Sequence, residues 1–197
     1  MTQKKVAILL FGEVEVLDFA GPFEVFSITL NSEQKQPFQV YTVAETKDAI
    51  RARNGLSVNP EYTLTDCPSP DIVIIPGGFG SREAMKRSPI LDWVKSCSEK
   101  AEFVLSVCTG SLILASSGLL EGLSATTHHL AFDSLREVAP NTTVVTNQRF
   151  VDQGKILTSG GISAGIDLSL YVVAKILGQE TAIKTTEYME YHWTHPL

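Results

Sequence analysis

Cys108 stands where an apolar run, FVLSV at 103–107, gives way at once to a helical pattern, TGSLILASS at 109–117. A sulfur at such a turn lies at a helix N-terminus, where unpaired N–H groups and the macrodipole favour a thiolate. The small residues two places to either side, Ser106 and Gly110, permit the close backbone approach of a nucleophile elbow. A thiol pKa lowered from about 8.5 toward neutrality or below is therefore expected, which would make Cys108 both nucleophilic and oxidisable. The plainer alternative is a small cysteine filling space at the sheet edge. Open α/β sheets bind ligands at the C-terminal ends of their strands, where this residue falls, and that favours the reactive reading. Cys67, in the loop TDCPSPD, and Cys97, inside a helical pattern, lack this setting and are read as structural. An odd number of cysteines with no C-x-x-C fits neither a disulfide framework nor a zinc site.

Two further segments carry candidate chemistry. PGGFG at 76–80 follows the apolar run DIVII and so reaches the same sheet edge as Cys108. Its glycines let backbone N–H groups face a ligand, and the N–H groups of Gly77, Gly78 and Thr109 are expected to form a hole for negative charge that develops after thiolate attack. An ordinary strand-to-helix turn is the alternative. In LDFAGPFEVF, at 17–26, the carboxylate of Asp18 sits among apolar residues just before Gly21-Pro22. An acid so placed has a raised pKa and can move protons at neutral pH. It can equally cap a turn, and spacing does not decide between the two. Glu13, Glu15 and Glu24 are read as solvated. His128 and His129 follow the strand-like ATT and point to opposite faces, leaving His128 as a pocket candidate; His192 and His195 lie near the end of the chain with no third ligand at readable spacing, so no metal site is expected.

These residues need a scaffold, and the pattern supplies one. Continuous apolar runs at 5–10, 38–44, 71–76 and 103–107 read as strands covered on both faces, hence a parallel sheet. Shorter strands are expected at 143–146, 150–151 and 156–158. Helices are expected at 22–27, with proline at the first helical position, and at 88–100, 109–117, 132–138, 166–177 and 179–188. Alternation from end to end gives one α/β domain over residues 1–197, a three-layer, doubly wound, mostly parallel sheet of flavodoxin-like type. A net charge of −6 without a basic stripe argues against nucleic-acid binding by the chain itself. The longest apolar run, 6–11, is far short of the roughly 20 residues of a membrane-spanning helix, and no cleavable signal is readable, so a cytoplasmic protein is expected.

Through LDFAGPFEVF, IIPGGFG, SVCTGSLILASSGLL, ATTHH and TSGGISAGIDLSLYVV the chain resembles the ThiJ/PfpI superfamily, which shares the class I glutamine-amidotransferase-like fold. Aspartate before Gly-Pro, with Cys-Thr-Gly at the elbow, resembles the branch that holds isonitrile hydratases and the sensory domains of AraC-type regulators. The resemblance implies a Cys-dependent lyase that adds water to a small isocyanide and releases an N-substituted formamide, without cofactor or metal. Cys108 would be the nucleophile, Asp18 the proton handler, and Thr109 would position the intermediate and lend its N–H; Gly21 and His128 would border the pocket. It also implies a homodimer packed through the apolar face around 17–26. The sequence departs from the branch in His129, where tryptophan is usual, and in TSGG for TSAG. Family proteases carry histidine directly after the elbow cysteine, and Thr109 in that place argues against peptidase chemistry. The alternative is a ligand- or redox-sensing domain without turnover. AraC-type regulators append a helix-turn-helix pair of roughly a hundred residues, and the α/β pattern leaves no residues here for one.

Overall fold

The computed structural model describes residues 3–193, and His195 lies outside them. The strands are β1 (Lys4–Leu9), β2 (Phe38–Ala44), β3 (Ile50–Arg51), β4 (Ser57–Val58), β5 (Tyr62–Thr63), β6 (Ile72–Ile75), β7 (Phe103–Ser106), β8 (Ser124–Ala125), β9 (Thr143–Val144), β10 (Phe150–Gln153) and β11 (Ile156–Ser159). The helices are α1 (Val16–Ile28), α2 (Ser81–Ala84), α3 (Ser88–Lys100), α4 (Gly110–Ser116), α5 (Phe132–Val138), α6 (Ala164–Leu177) and α7 (Gln179–Tyr188). Seven strands form the main sheet in the order β10-β11-β7-β6-β1-β2-β5, parallel except for the β10–β11 pair. Every residue of β6 and β7 is buried, which is why their sequences are continuously rather than alternately apolar.

The direction of the crossovers places the ligand edge. From β1 the chain passes through α1 to β2 on one side, whereas from β6 it passes through α3 to β7 on the other. Right-handed crossovers running in opposite directions put α1 and α3 on opposite faces of the sheet. α6 packs on α1 and α7, and α4 packs on α2, α3 and α5, so helices cover both faces. The reversal lies between β1 and β6, and the C-terminal ends of strands flanking such a switch point border a crevice. The segments leaving β1, β6 and β7 there carry Asp18, Gly77 and Cys108.

Two expectations about elements need correction. The first helix starts at Val16, not at 22, and holds Pro22 in its interior. Asp18, Phe19, Gly21, Pro22, Val25 and Phe26 are its buried residues, a three-and-four spacing that continues across the proline. Burying that face, at roughly 1.5–3 kcal/mol for each large apolar side chain, outweighs the backbone bond that proline removes. Gly21 consequently sits at the α1–α6 crossing, where a Cβ would come within 2.9 Å of Ile166 Cγ1, so close helix packing accounts for a glycine there. The strand expected at 143–146 is the two-residue β9, which pairs with β8 outside the main sheet.

Candidate active site

Cys108 has φ 56°, a left-handed conformation that costs a non-glycine residue on the order of 1–3 kcal/mol and persists only where its surroundings enforce it. The enforcement is visible on both sides of the residue. Its N–H donates to the Gly160 carbonyl at 3.1 Å, while its own carbonyl accepts from the Thr127 hydroxyl at 3.0 Å and the Ser111 hydroxyl at 3.3 Å. Two places further on, Gly110 passes so close to β6 that a Cβ would lie 2.0 Å from the Ile75 carbonyl oxygen. Sequence spacing pointed to Gly110, and the ATTHH motif contains Thr127; neither gave a sign of Ser111.

Asp18, in the first turn of α1, is fully buried. Its Oδ2 accepts the Gly77 N–H at 3.0 Å. Its Oδ1 is buried with no hydrogen-bond partner, although the Cys108 thiol and the Ile162 N–H both act on the carboxyl. Burial raises the Asp18 pKa from 3.8 to about 7, with Glu15 adding to the rise and the Gly77 N–H opposing it. Both alternatives that spacing left open are visible here: a carboxyl with a raised pKa and one that accepts a nearby turn N–H.

The PGG turn is used differently from the expected anion hole. The Gly77 N–H is taken by Asp18, and the Gly78 N–H donates to Thr109 Oγ1 at 3.0 Å. Thr109 Oγ1 in turn donates to the Gly78 carbonyl at 3.1 Å, and the Ser81 hydroxyl lies 2.9 Å from Thr109 Oγ1 and 2.8 Å from that carbonyl. The turn therefore orients Asp18 and the Thr109 side chain, and neither glycine N–H is free for a reacting group. The Thr109 N–H and hydroxyl both oppose the rise of the Cys108 pKa. A Cβ on Gly77 would fall 2.5 Å from the Thr109 nitrogen, so the close approach of the two turns requires glycine there.

The family can be assigned from these segments together. The DJ-1/PfpI family profile matches residues 4–175, which takes in Asp18, the PGG turn, the elbow and the loop facing it. The chain belongs to the DJ-1/PfpI family. An isonitrile hydratase of Pseudomonas putida is 35% identical over 95% of this chain and 78% of its own length. The HTH-type transcriptional regulator CdhR of Pseudomonas aeruginosa is 28% identical over 91% of the chain. The chain spans 52% of CdhR, about half its length. Among solved structures, a ThiJ/PfpI family protein from Pseudomonas syringae superimposes with a TM-score of 0.87 at 29% identity, over 100% of this chain and 78% of that one. Drosophila melanogaster DJ-1beta superimposes at 0.84 with 19% identity, over 98% and 100% of the two chains, a likeness of fold alone.

In this site the lowered thiol pKa read from the sequence is wrong in sign. Burial, followed by the neighbouring Asp18 carboxylate, pushes the Cys108 thiol up from 9.0 to about 12. The Thr109 and Ile162 donors oppose this without reversing it. Spacing revealed the helix start but could not reveal that Cys108 is 5% exposed and faces an acid; α4 has only seven residues, and desolvation outweighs its terminal field. The resting sulfur is a neutral thiol beside a carboxyl that titrates near neutrality.

His128 borders this arrangement rather than pairing with the cysteine. Its Nδ1 accepts the Leu130 N–H at 3.2 Å, which leaves the proton of the neutral ring on Nε2. Burial, then His129, lowers its pKa. The His129 ring lies 4.3 Å from it, tilted by 32°, so the two histidines do not point to opposite faces as expected, because His129–Ala131 form a 3-10 turn rather than a strand. A Cβ on Gly161 would come 2.1 Å from His128 Cδ2, so the histidine ring rests on the loop before α6. Ile162 in that loop, with φ 56°, is a site residue that the sequence reading missed; a β-branched residue in this conformation is rare, and no pattern in TSGGISAG announces it. Among the described residues no group of three or more His, Cys, Asp or Glu side chains could hold a metal, and no helix is long and apolar enough to cross a membrane.

Proposed function

We propose that the protein hydrates small isocyanides to N-substituted formamides, using Cys108 as nucleophile and Asp18 as proton shuttle. The observation that carries this reading is the buried Asp18 carboxyl oxygen without a partner beside a thiol held neutral. Addition to an isocyanide needs both a sulfur and a proton at the same terminal carbon, and a thiol–carboxylate pair supplies both. Asp18 takes the thiol proton as Sγ bonds to that carbon, then returns it to the carbon, giving a thioimidate, R–N=CH–S–Cys108. Nothing leaves in this step. Water then adds to the same carbon with Asp18 relaying its proton to nitrogen, the C–S bond breaks, the sulfur regains a proton, and R–NH–CHO departs. No electrons are gained or lost overall. Thr109 holds the sulfur and the forming intermediate through its N–H, while its hydroxyl is tied to the PGG turn.

Similarity to the Pseudomonas putida isonitrile hydratase supports the reaction class. Peptidase chemistry is disfavoured by Thr109 in place of a histidine. The test is formamide production from small alkyl and aryl isocyanides by the wild-type chain, followed by chromatography; release of formamide from at least one of them is expected. A second reading, ligand sensing without turnover, is favoured by the similarity to CdhR, and the outcome that selects it is tight metabolite binding with no formamide. Redox sensing fits less well, because a buried thiol held protonated reacts slowly with peroxide.

A cytoplasmic homodimer belongs to the same proposal. Leu17 and Phe23 on α1 are each 38% exposed, next to the buried Asp18, and a second copy would cover them. Light scattering is expected to give twice the 21.5 kDa chain mass; a monomer at micromolar concentration would remove this part of the reading.

A further inference from the structure

We propose that Arg149 is a positioning residue for the nucleophile: through an ion pair with Asp167 it clamps the turn at residues 160–163 against Cys108. The clamp begins with a carboxylate that cannot be left alone. Asp167, in the first turn of α6, has a side chain only 2% exposed, and a buried charge requires partners on both oxygens. Arg149 Nε donates to Oδ2, and the Tyr191 hydroxyl donates to Oδ1 at 3.1 Å. The guanidinium, held there, extends Nη2 to Ser163 Oγ at 3.1 Å. A forked planar cation can serve both acceptors at once; an ammonium cannot do so with the same geometry.

Arg149 also holds the other end of the turn. Its carbonyl accepts the Gly160 N–H at 2.9 Å, and the Gly160 carbonyl accepts the Cys108 N–H at 3.1 Å. The side chain thus fixes residue 163, the main chain fixes residue 160, and Gly161 and Ile162 lie between. Gly161 carries the His128 ring against it, and Ile162 is held at φ 56° with its N–H close enough to lower the pKa values of Cys108 and Asp18. A residue outside the elbow, the PGG turn and α1 therefore decides where the last wall of the site stands. The titratable groups around the turn are Cys108 of the elbow, Asp18 of α1, His128 after β8, Asp167 of α6 and Tyr191 after α7.

The inference rests on Cys108 being the reactive thiol but not on isocyanide turnover, so its test uses iodoacetamide as the probe. Alkylation of Cys108, Cys67 and Cys97 in the full chain is followed by peptide mass spectrometry from pH 7 to pH 9. Arg149→Gln is expected to slow Cys108 by about tenfold across this range, the effect of raising a thiol pKa by about one unit, with Cys67 unchanged. Ser163→Ala, which keeps the ion pair, is expected to slow it about threefold, and Arg149→Lys to recover part of the Arg149→Gln loss. Unchanged Cys108 rates in Arg149→Gln and Ser163→Ala would overturn the proposal. A parallel change at all three cysteines in Arg149→Gln would also overturn it, because that marks a general loosening of the fold. If Arg149→Gln does not fold, Ser163→Ala decides alone. Failure of isocyanide hydration in the wild type leaves these rates readable, so the two proposals fail separately.

Discussion

Asp18→Asn is expected to lower kcat/KM for isocyanide hydration by about 10²–10⁴-fold while making the protein more stable at pH 8. Both effects come from the same buried carboxyl. In the folded chain its pKa is raised from 3.8 to about 7, with burial as the main cause. A raised carboxyl pKa means that the unfolded chain gives up this proton first as pH rises. Stability from this group is present in full below about 4 and is lost as pH climbs to about 7. The interval between 3.8 and about 7, at about 1.36 kcal/mol per unit, corresponds to about 4 kcal/mol lost above neutrality. Asparagine does not ionise and can still accept the Gly77 N–H, so its urea midpoint should differ little from wild type at pH 4 and exceed it clearly at pH 8. On the rate side, the attacking form needs Asp18 ionised and Cys108 protonated. Wild-type kcat/KM should therefore rise with pH through a midpoint near 7, and the variant should lose that limb. A variant that keeps the limb, or is less stable than wild type at pH 8, would show that Asp18 neither carries the proton nor is held against its ionisation.

Cys108→Ala is expected to leave no measurable formamide production, a loss of at least about 10⁴-fold, as is found when a covalent nucleophile is deleted. Its fold should survive. The backbone of residue 108 is fixed by Gly160, Thr127 and Ser111 through main-chain atoms, and alanine keeps all three contacts. Removing a small buried sulfur leaves a modest void, and the acid beside it loses a thiol that favours its ionised form. Melting within a few degrees of wild type, with intact far-ultraviolet dichroism, separates a chemical loss from a structural one. Formamide release that survives in Cys108→Ala would mean that water activated by Asp18 attacks directly, and the covalent route would be wrong.

The parts of this site readable in the sequence were those written in local pattern. FVLSV before Cys108 and TGSLILASS after it specify a buried strand and a helix, and apolar runs of that kind covered on both faces give a parallel sheet with its ligand edge at the strand ends. Asp18 and Gly77 were visible because an acid in an apolar stretch, or a glycine pair after a strand, departs from local expectation. The start of α1 was misplaced because Pro22 is a strong local signal, overridden by a packed face that only the tertiary structure supplies. The sign of the Cys108 shift was missed for a related reason: helix-terminus fields can be read along the chain, whereas desolvation and a carboxyl reaching over from another element cannot. The same holds for Ile162, Thr127 and Arg149, whose importance comes from the close approach of the 160–163 turn to the elbow. Gly21 was named as bordering the pocket, and what no local pattern announces is that its missing Cβ admits Ile166 of α6.

The central claim is that a neutral Cys108 thiol adds across the isocyanide carbon with its proton shuttled by Asp18. Rapid-quench mass spectrometry of the wild-type protein mixed with a small aryl isocyanide measures this directly. The prediction is a transient adduct on the Cys108 peptide, heavier by the full mass of the isocyanide because nothing leaves on addition, which decays at the rate at which formamide appears. Formamide appearing with no adduct on Cys108, or with an adduct that persists while formamide accumulates, would contradict the account.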